Sequence, residues 1–357
     1  MDKYFTDLIM KKWGLSMEEV LHRIDIKDLS KKEIDDLLVK ISWTQYPDVI
    51  KKLLEYGEDS SVDSAVKTEA DVKAEWKFEK LTNGSLRLLQ YKGADSIIII
   101  PEAIGKNKVS EIGEYALSPM QIRIKKEFKE ARNRITKVVV GDFIKKMGKG
   151  VFKGCENLET VTLSKGIQTL SDSTFENCKK LSGIIIPETV TRLGSAVFWG
   201  CESLSEVELP DSITKISAIS KEPFDTPNYT FCDCTSLKKV KMPNKLSKIY
   251  SDFIGCNSLE TVILPGELKT IGERSFFNCS SLRKIDLPQG LESIQWEAFG
   301  GCKKLKYLSI PSSVKSISND AFKDYTRKNI KGLTLGLDKD SPLTEFAEEN
   351  TISYVIE

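Results

Sequence analysis

One signature, Phe-x-x-Cys-x-x-Leu, recurs seven times between Phe152 and Leu305 and constrains this chain more than any other feature. Cys155, Cys178 and Cys201 stand 23 residues apart, as do Cys256, Cys279 and Cys302. The step from Cys201 to Cys234 is 33, which marks a ten-residue insertion, and the step from Cys234 to Cys256 is 22. A Phe stands three residues before each cysteine: Phe152, Phe175, Phe198, Phe231, Phe253, Phe276 and Phe299. A Leu stands three after: Leu158, Leu181, Leu204, Leu237, Leu259, Leu282 and Leu305. A fixed period of this order means a stack of similar units. One unit cannot bury its own apolar faces, so stability comes from its neighbours.

Within a unit, Thr160-Val161-Thr162-Leu163 alternates as a strand does, with Val161 and Leu163 predicted inward and the threonines facing solvent. A Pro follows the strand at 187, 210, 243, 265, 288 and 311, where no ladder donor is required. Leu291 and Ile294, with their equivalents, line the return path, and Phe299 plugs the convex side. This spacing fits a leucine-rich repeat solenoid.

The run Phe-x-x-Cys-x-x-Leu-x-x-Val/Ile-x-Leu/Ile-Pro, then x-x-Val/Ile/Leu-x-x-Ile, resembles the BspA-like leucine-rich repeat family over about residues 76–357. Asp95 to Leu117, with Ile100-Pro101, Lys108-Val109 and Glu111-Ile112-Gly113-Glu114-Tyr115-Ala116, resembles that family's usual N-terminal segment. Leu333-Thr334-Leu335, then Ser341 and Phe346-Ala347-Glu348-Glu349-Asn350, resembles its final strand and capping helix. The resemblance implies an α/β solenoid, a right-handed coil with a parallel β-sheet on its concave face. It also implies kinship with surface adhesins and other protein-binding scaffolds, usually not enzymes.

Residues 1–57 read as a small all-α domain of three or four helices, with capping boxes at Ser16/Glu19 and Ser30/Glu33. Residues 58–75 read as a linker, partly helical. The solenoid is placed at 76–332, opened by a β-hairpin over Trp76 to Tyr91 with Asn83-Gly84 at its turn, and a C-terminal cap at 333–357. Residues 1–13 show no secretory signal and no stretch spans a bilayer, so a cytoplasmic location without membrane insertion is expected. A net charge of +1 gives the whole molecule no strong pull on nucleic acid.

Catalysis finds little support. The single histidine, His22, lies in the helical segment, so Ser-His or Cys-His chemistry cannot be completed within the repeats. Gly148-Lys149-Gly150 lacks the spacing of a phosphate loop. Seven of the eight cysteines fall at one repeat position, so they form a file and not a converging metal set. Cys232 is the exception, read as an insertion residue near the surface. No metal or cofactor is expected, and the thiols are expected to be reduced.

The solvent-facing strand positions run Lys137/Val139, Thr160/Thr162, Gly183/Ile185, Glu206/Glu208, Lys239/Lys241, Thr261/Ile263, Lys284/Asp286 and Tyr307/Ser309. Ile185 and Ile263 are unusual for an open sheet. Two readings stand: a solvated face whose Glu206–Lys239 and Glu208–Lys241 pairs link adjacent coils, or a surface for a protein partner. Two insertions add to it. The one within 118–134 carries Arg123, Lys125, Lys126, Lys129, Arg132 and Arg134 against Glu127 and Glu130; it is a short basic helix that meets an acidic partner, or a solvated one. The other, 218–230, holds Phe224 and Tyr229, which serve as anchors or fold back over the gap. The leading expectation is a non-enzymatic protein-interaction scaffold. The alternatives are an adhesion or carbohydrate-binding module, and an enzyme whose helical domain completes a cleft.

Overall fold

The computed structural model describes residues 67–216 and 228–357. The expected helical domain of residues 1–57, His22 and Phe224 lie outside the described residues. Residues 73–357 form one compact unit.

The first described element is the helix Glu69–Glu75 (α1), within the stretch read as a linker. It starts at a capping box. Thr68 Oγ1 accepts from the Asp71 amide at 3.2 Å, and Asp71 Oδ2 accepts from the Thr68 amide at 2.8 Å. The hairpin follows as Trp76–Lys80 paired antiparallel with Leu86–Tyr91. Gly84 takes φ 84°, and Asn83 Oδ1 accepts from the Ser85 amide at 3.0 Å, so the turn runs over five residues and not two. Leu86–Tyr91 then pairs parallel with Asn107–Ile112, and the hairpin seeds the stack.

Each coil carries two short strands, and the two series form separate ladders. On the concave side, Ile97–Ile99, Lys137–Val139 and Thr160–Thr162 pair in parallel. So do Glu206–Glu208, Lys239–Lys241 and Thr261–Ile263, and Tyr307–Ser309, Thr334–Leu337 and Ser353–Ile356. The second series pairs Thr169–Leu170, Arg192–Leu193 and Lys215–Ile216, then Lys248–Ile249 through Ser316–Ile317. The remainder of each coil is turn, so the architecture is a parallel β-solenoid with few helices.

The concave sheet is not continuous, which corrects the expected strands at two coils. Residues 183–185 and 284–286 are not strands, and no backbone hydrogen bond joins them to neighbouring coils. Gly183 has no side chain to pack across the ladder, and its Cβ position is open space. Lys284 turns to Asp286 on its own coil, at 3.0 Å, and not to a cross-strand partner.

The core is built from files. Phe152, Phe175, Phe198, Phe231, Phe253, Phe276, Phe299 and Phe322 are buried and stack ring on ring, 5.3–5.9 Å between centroids and 3–15° from parallel. The seven amides from Phe152 to Phe299 each donate to the next coil; Phe276 reaches the Ala298 carbonyl at 2.8 Å. The seven cysteines of the motif are fully buried beside them. Cys232 is buried too, against expectation. It belongs to the coil turn and not to the insertion, and its carbonyl accepts from the Gly200 amide at 2.8 Å.

A column of left-handed backbone folds each coil around its Phe. The residue before each motif cysteine has positive φ: Gly154, Asn177, Gly200, Asp233, Gly255, Asn278 and Gly301. These residue types tolerate that conformation best. Their alternation has a steric cause. A Cβ at Gly200, Gly255 or Gly301 would collide with Oδ1 of Asn177, Asp233 or Asn278 on the coil before. An Asx on one coil therefore requires Gly on the next.

The C-terminal cap holds the expected strand, Thr334–Leu337, and helix, Leu343–Glu349. It then adds a strand the sequence reading did not include, Ser353–Ile356, which extends the concave ladder by one.

Candidate functional site

The concave face is the candidate site, and its character changes along the stack. Lys137 and Val139, expected to face solvent, are buried, and Thr160 and Thr162 are half-buried. Lys137–Val139 is flanked on both sides by paired strands. The open part begins at Ile185, which is 59% exposed. Glu206, Glu208 and Lys239 follow as exposed residues, then half-buried Lys241 and Ile263 at 46% exposure.

The register places Glu206 opposite Lys239 and Glu208 opposite Lys241, then Lys241 opposite Ile263. Among the described residues only the second expected ion pair closes. Lys241 Nζ lies 2.8 Å from Glu208 Oε1 and 4.0 Å from Asp211 Oδ2. The Glu208 carboxylate raises the Lys241 pKa, chiefly by its hydrogen bond. An exposed pair of this kind contributes less than about 1 kcal/mol, so it sets charge pattern more than stability. By repeat position Ile185 and Ile263 bracket this pair from three coils apart, about 14 Å at the usual strand spacing.

Tyr307 is occupied by the chain itself. Its hydroxyl donates to Glu357 Oε1, and Ser309 Oγ donates to Glu357 Oε2 at 2.6 Å. These bonds hold the Glu357 carboxyl below its usual range, the Ser309 bond leading, and raise the Tyr307 phenol. Gly336 makes room for this, since a Cβ there would strike the Tyr307 hydroxyl and Glu357. Lys284 and Asp286 are exposed and paired with each other. No periodicity pointed to Glu357.

Tyr229 does fold back. Its ring stacks on Trp199 at 5.5 Å, and Trp199 Nε1 donates to Asp233 Oδ2 at 3.1 Å. The coil re-entered after the insertion is fixed by buried Asp252. This carboxylate accepts from Thr230 Oγ1 at 2.6 Å, the Tyr250 amide at 2.8 Å and Asn228 Nδ2 at 3.4 Å. Burial raises its pKa against those bonds.

The thiols are held singly. Each motif cysteine donates S–H to a carbonyl of an earlier coil, as Cys201 does to Phe175 at 3.2 Å. All eight are free, and burial pushes the Cys155 thiol up to about 12. Among the described residues no group of three or more His, Cys, Asp or Glu converges to hold a metal. No helix among them is long and apolar enough to cross a membrane.

Stacked coils, a phenylalanine file and an open concave ladder define a leucine-rich repeat solenoid. A sequence profile of the BspA type leucine rich repeat region matches residues 121–226 and 224–328 in six copies. The match covers more than half of the sequence, and the chain belongs to this family. Among solved structures, a leucine rich repeat protein of T. pallidum aligns at 22% identity and a TM-score of 0.50, over 58% of this chain and 88% of that one. A leucine-rich repeat protein from Bacteroides ovatus aligns at 18% and 0.43, over 83% and 100%. A leucine rich cell surface protein from Faecalibacterium prausnitzii aligns at 18% and 0.34, over 84% and 96%. The T. pallidum likeness is one of fold. No curated protein matches the sequence.

Proposed function

We propose that the chain is a non-enzymatic protein-interaction scaffold whose contact surface is the concave face between Ile185 and Ile263. The observation that carries this is a pair of exposed isoleucines, Ile263 on its strand and Ile185 at the equivalent repeat position of a coil without one, bracketing the Glu208–Lys241 ion pair. Leaving a large apolar side chain in water forgoes roughly 1.5–3 kcal/mol of burial, which a partner recovers on docking. Glu206 and Lys239, facing each other without an ion pair among the described residues, give the patch donors and acceptors for orientation. The partner is a protein segment that lies across the coils and presents two apolar side chains to the isoleucines. Tyr307, Lys284 and Asp286 form the far end of this surface, and Tyr229 belongs to a separate edge.

The carbohydrate-binding alternative leans on Tyr307, whose hydroxyl is engaged by Glu357. We propose a cytoplasmic location, a compartment in which the eight unpaired thiols stay reduced. The test is affinity capture with the wild-type chain and with Ile185→Arg/Ile263→Arg. Partners recovered by wild type and lost by the double variant support the reading; identical recovery by both contradicts it.

A further inference from the structure

The insertion within 118–134 forms a pinned knob with a basic and apolar tip. At its base Arg132 is fully buried. Its guanidinium donates to the Tyr91 carbonyl at 2.6 and 3.0 Å, the Ser118 carbonyl at 2.7 Å and Gln121 Oε1 at 3.1 Å. Gln121 in turn donates to the Leu89 carbonyl at 3.1 Å. Gln121 is thus turned inward, and its neighbours Met120 and Ile122 are turned out. Ile122 is 84% exposed, the most exposed of the large apolar residues described, and Met120 is 49% exposed. Arg123 turns the chain with φ 61° into the helix Lys126–Arg132 (α2).

Cations surround the tip. Lys125 and Lys126 reach Glu127 and Glu130 only at 3.6 and 3.7 Å, and Arg123, Lys129 and Arg134 have no ion pair among the described residues. Although the chain's net charge is +1, only charges within about 8–10 Å act together at ordinary salt. Locally the knob is positive.

We propose that this knob docks the protein peripherally on an anionic lipid surface, with Ile122 and Met120 entering the headgroup boundary and Arg123, Lys125, Lys126 and Lys129 meeting lipid phosphates and carboxylates. A stable protein interface needs about 800 Å² of matched surface on each side. Two exposed apolar side chains, Met120 and Ile122, do not supply that, whereas a bilayer needs no shape match and rewards apolar residues among cations. This surface is separate from the concave face, so the two readings fail independently.

The test is cosedimentation of the full chain with vesicles of phosphatidylcholine alone and of phosphatidylcholine mixed equally with phosphatidylserine. Binding is expected only to the mixed vesicles and is expected to weaken as salt rises. Each charge reversal, Arg123→Glu or Lys129→Glu, is expected to weaken it about fivefold or more. Ile122→Asp is expected to weaken it on the order of tenfold with the melting temperature unchanged. Ile185→Arg/Ile263→Arg is expected to bind vesicles as wild type does. Equal binding to both vesicle types, no binding to either, or indifference to the knob variants overturns the proposal. Retention on immobilised polyglutamate without vesicle binding also overturns it, in favour of an acidic protein surface.

Discussion

The thiol of Cys279 donates to the carbonyl oxygen of Phe253 at 3.2 Å, across the boundary between two coils. The Phe253 amide donates the other way, forward to the Ser275 carbonyl at 3.0 Å. Both polar groups of the Phe253 backbone are therefore satisfied by the next coil, deep in the core. A cysteine suits this position because it is small, apolar and still carries a weak donor.

This arrangement predicts silent thiols with a defined pH signature. A thiol reagent should label none of the eight in the native protein and all eight after denaturation. The buried thiols titrate above their ordinary value near 9.0, with Cys155 at about 12. Above pH 9 the unfolded chain loses thiol protons that the folded chain keeps, so stability must fall as pH rises from about 9 towards 12. Cys279→Ala should flatten that fall, measured by urea midpoints across the range.

The Phe file predicts a large cost for breaking one ring stack. Phe276→Ala should lower stability by roughly 3–5 kcal/mol, because the ring contacts Phe253 and Phe299 on both faces at 5.3 Å. An unchanged urea midpoint would refute this.

These files were legible in the sequence because period alone determines them: Phe152 to Phe299, the cysteines and the leucines are all buried as expected. The exposure of Ile263 followed from strand alternation, and that of Ile185 from its repeat position alone, since 183–185 form no strand. The left-handed column also leaves a trace in the sequence, a Gly, Asn or Asp before every motif cysteine. Other features had no local signal. Arg132 sits in a run of charges and nothing in its neighbourhood marks it as the buried one. Glu357 reaches Tyr307 from 50 residues away. Burial of Lys137 and the broken ladder at 183–185 are tertiary outcomes that a repeat pattern does not encode.

The alternation of Asx and Gly predicts a coupled pair. Gly301 has φ 76°, and its missing Cβ would strike Oδ1 of Asn278. Gly301→Ala should cost about 1–2 kcal/mol from backbone conformation, plus the clash. In an Asn278→Gly background the cost should drop towards the backbone value alone. A double-mutant cycle with zero coupling energy would remove the steric explanation.

Arg132 predicts a local dependence. Its burial pulls the guanidinium pKa down to about 10, yet its donors satisfy the Tyr91 and Ser118 carbonyls. Arg132→Ala leaves those carbonyls dry and should destabilise by about 1–3 kcal/mol or more. Hydrogen exchange should report the loss first in residues 118–134. Uniform loss across all coils would contradict the pinning role.

The functional account rests on the open concave stretch, and site-specific photo-crosslinking tests it most directly. A photoreactive residue is placed at Ile185, at Ile263, and at exposed Lys303 beyond the motif cysteine of its coil. The account predicts one shared crosslinked protein from positions 185 and 263 and none from 303. Crosslinks from 303 with nothing from 185 and 263 would contradict it.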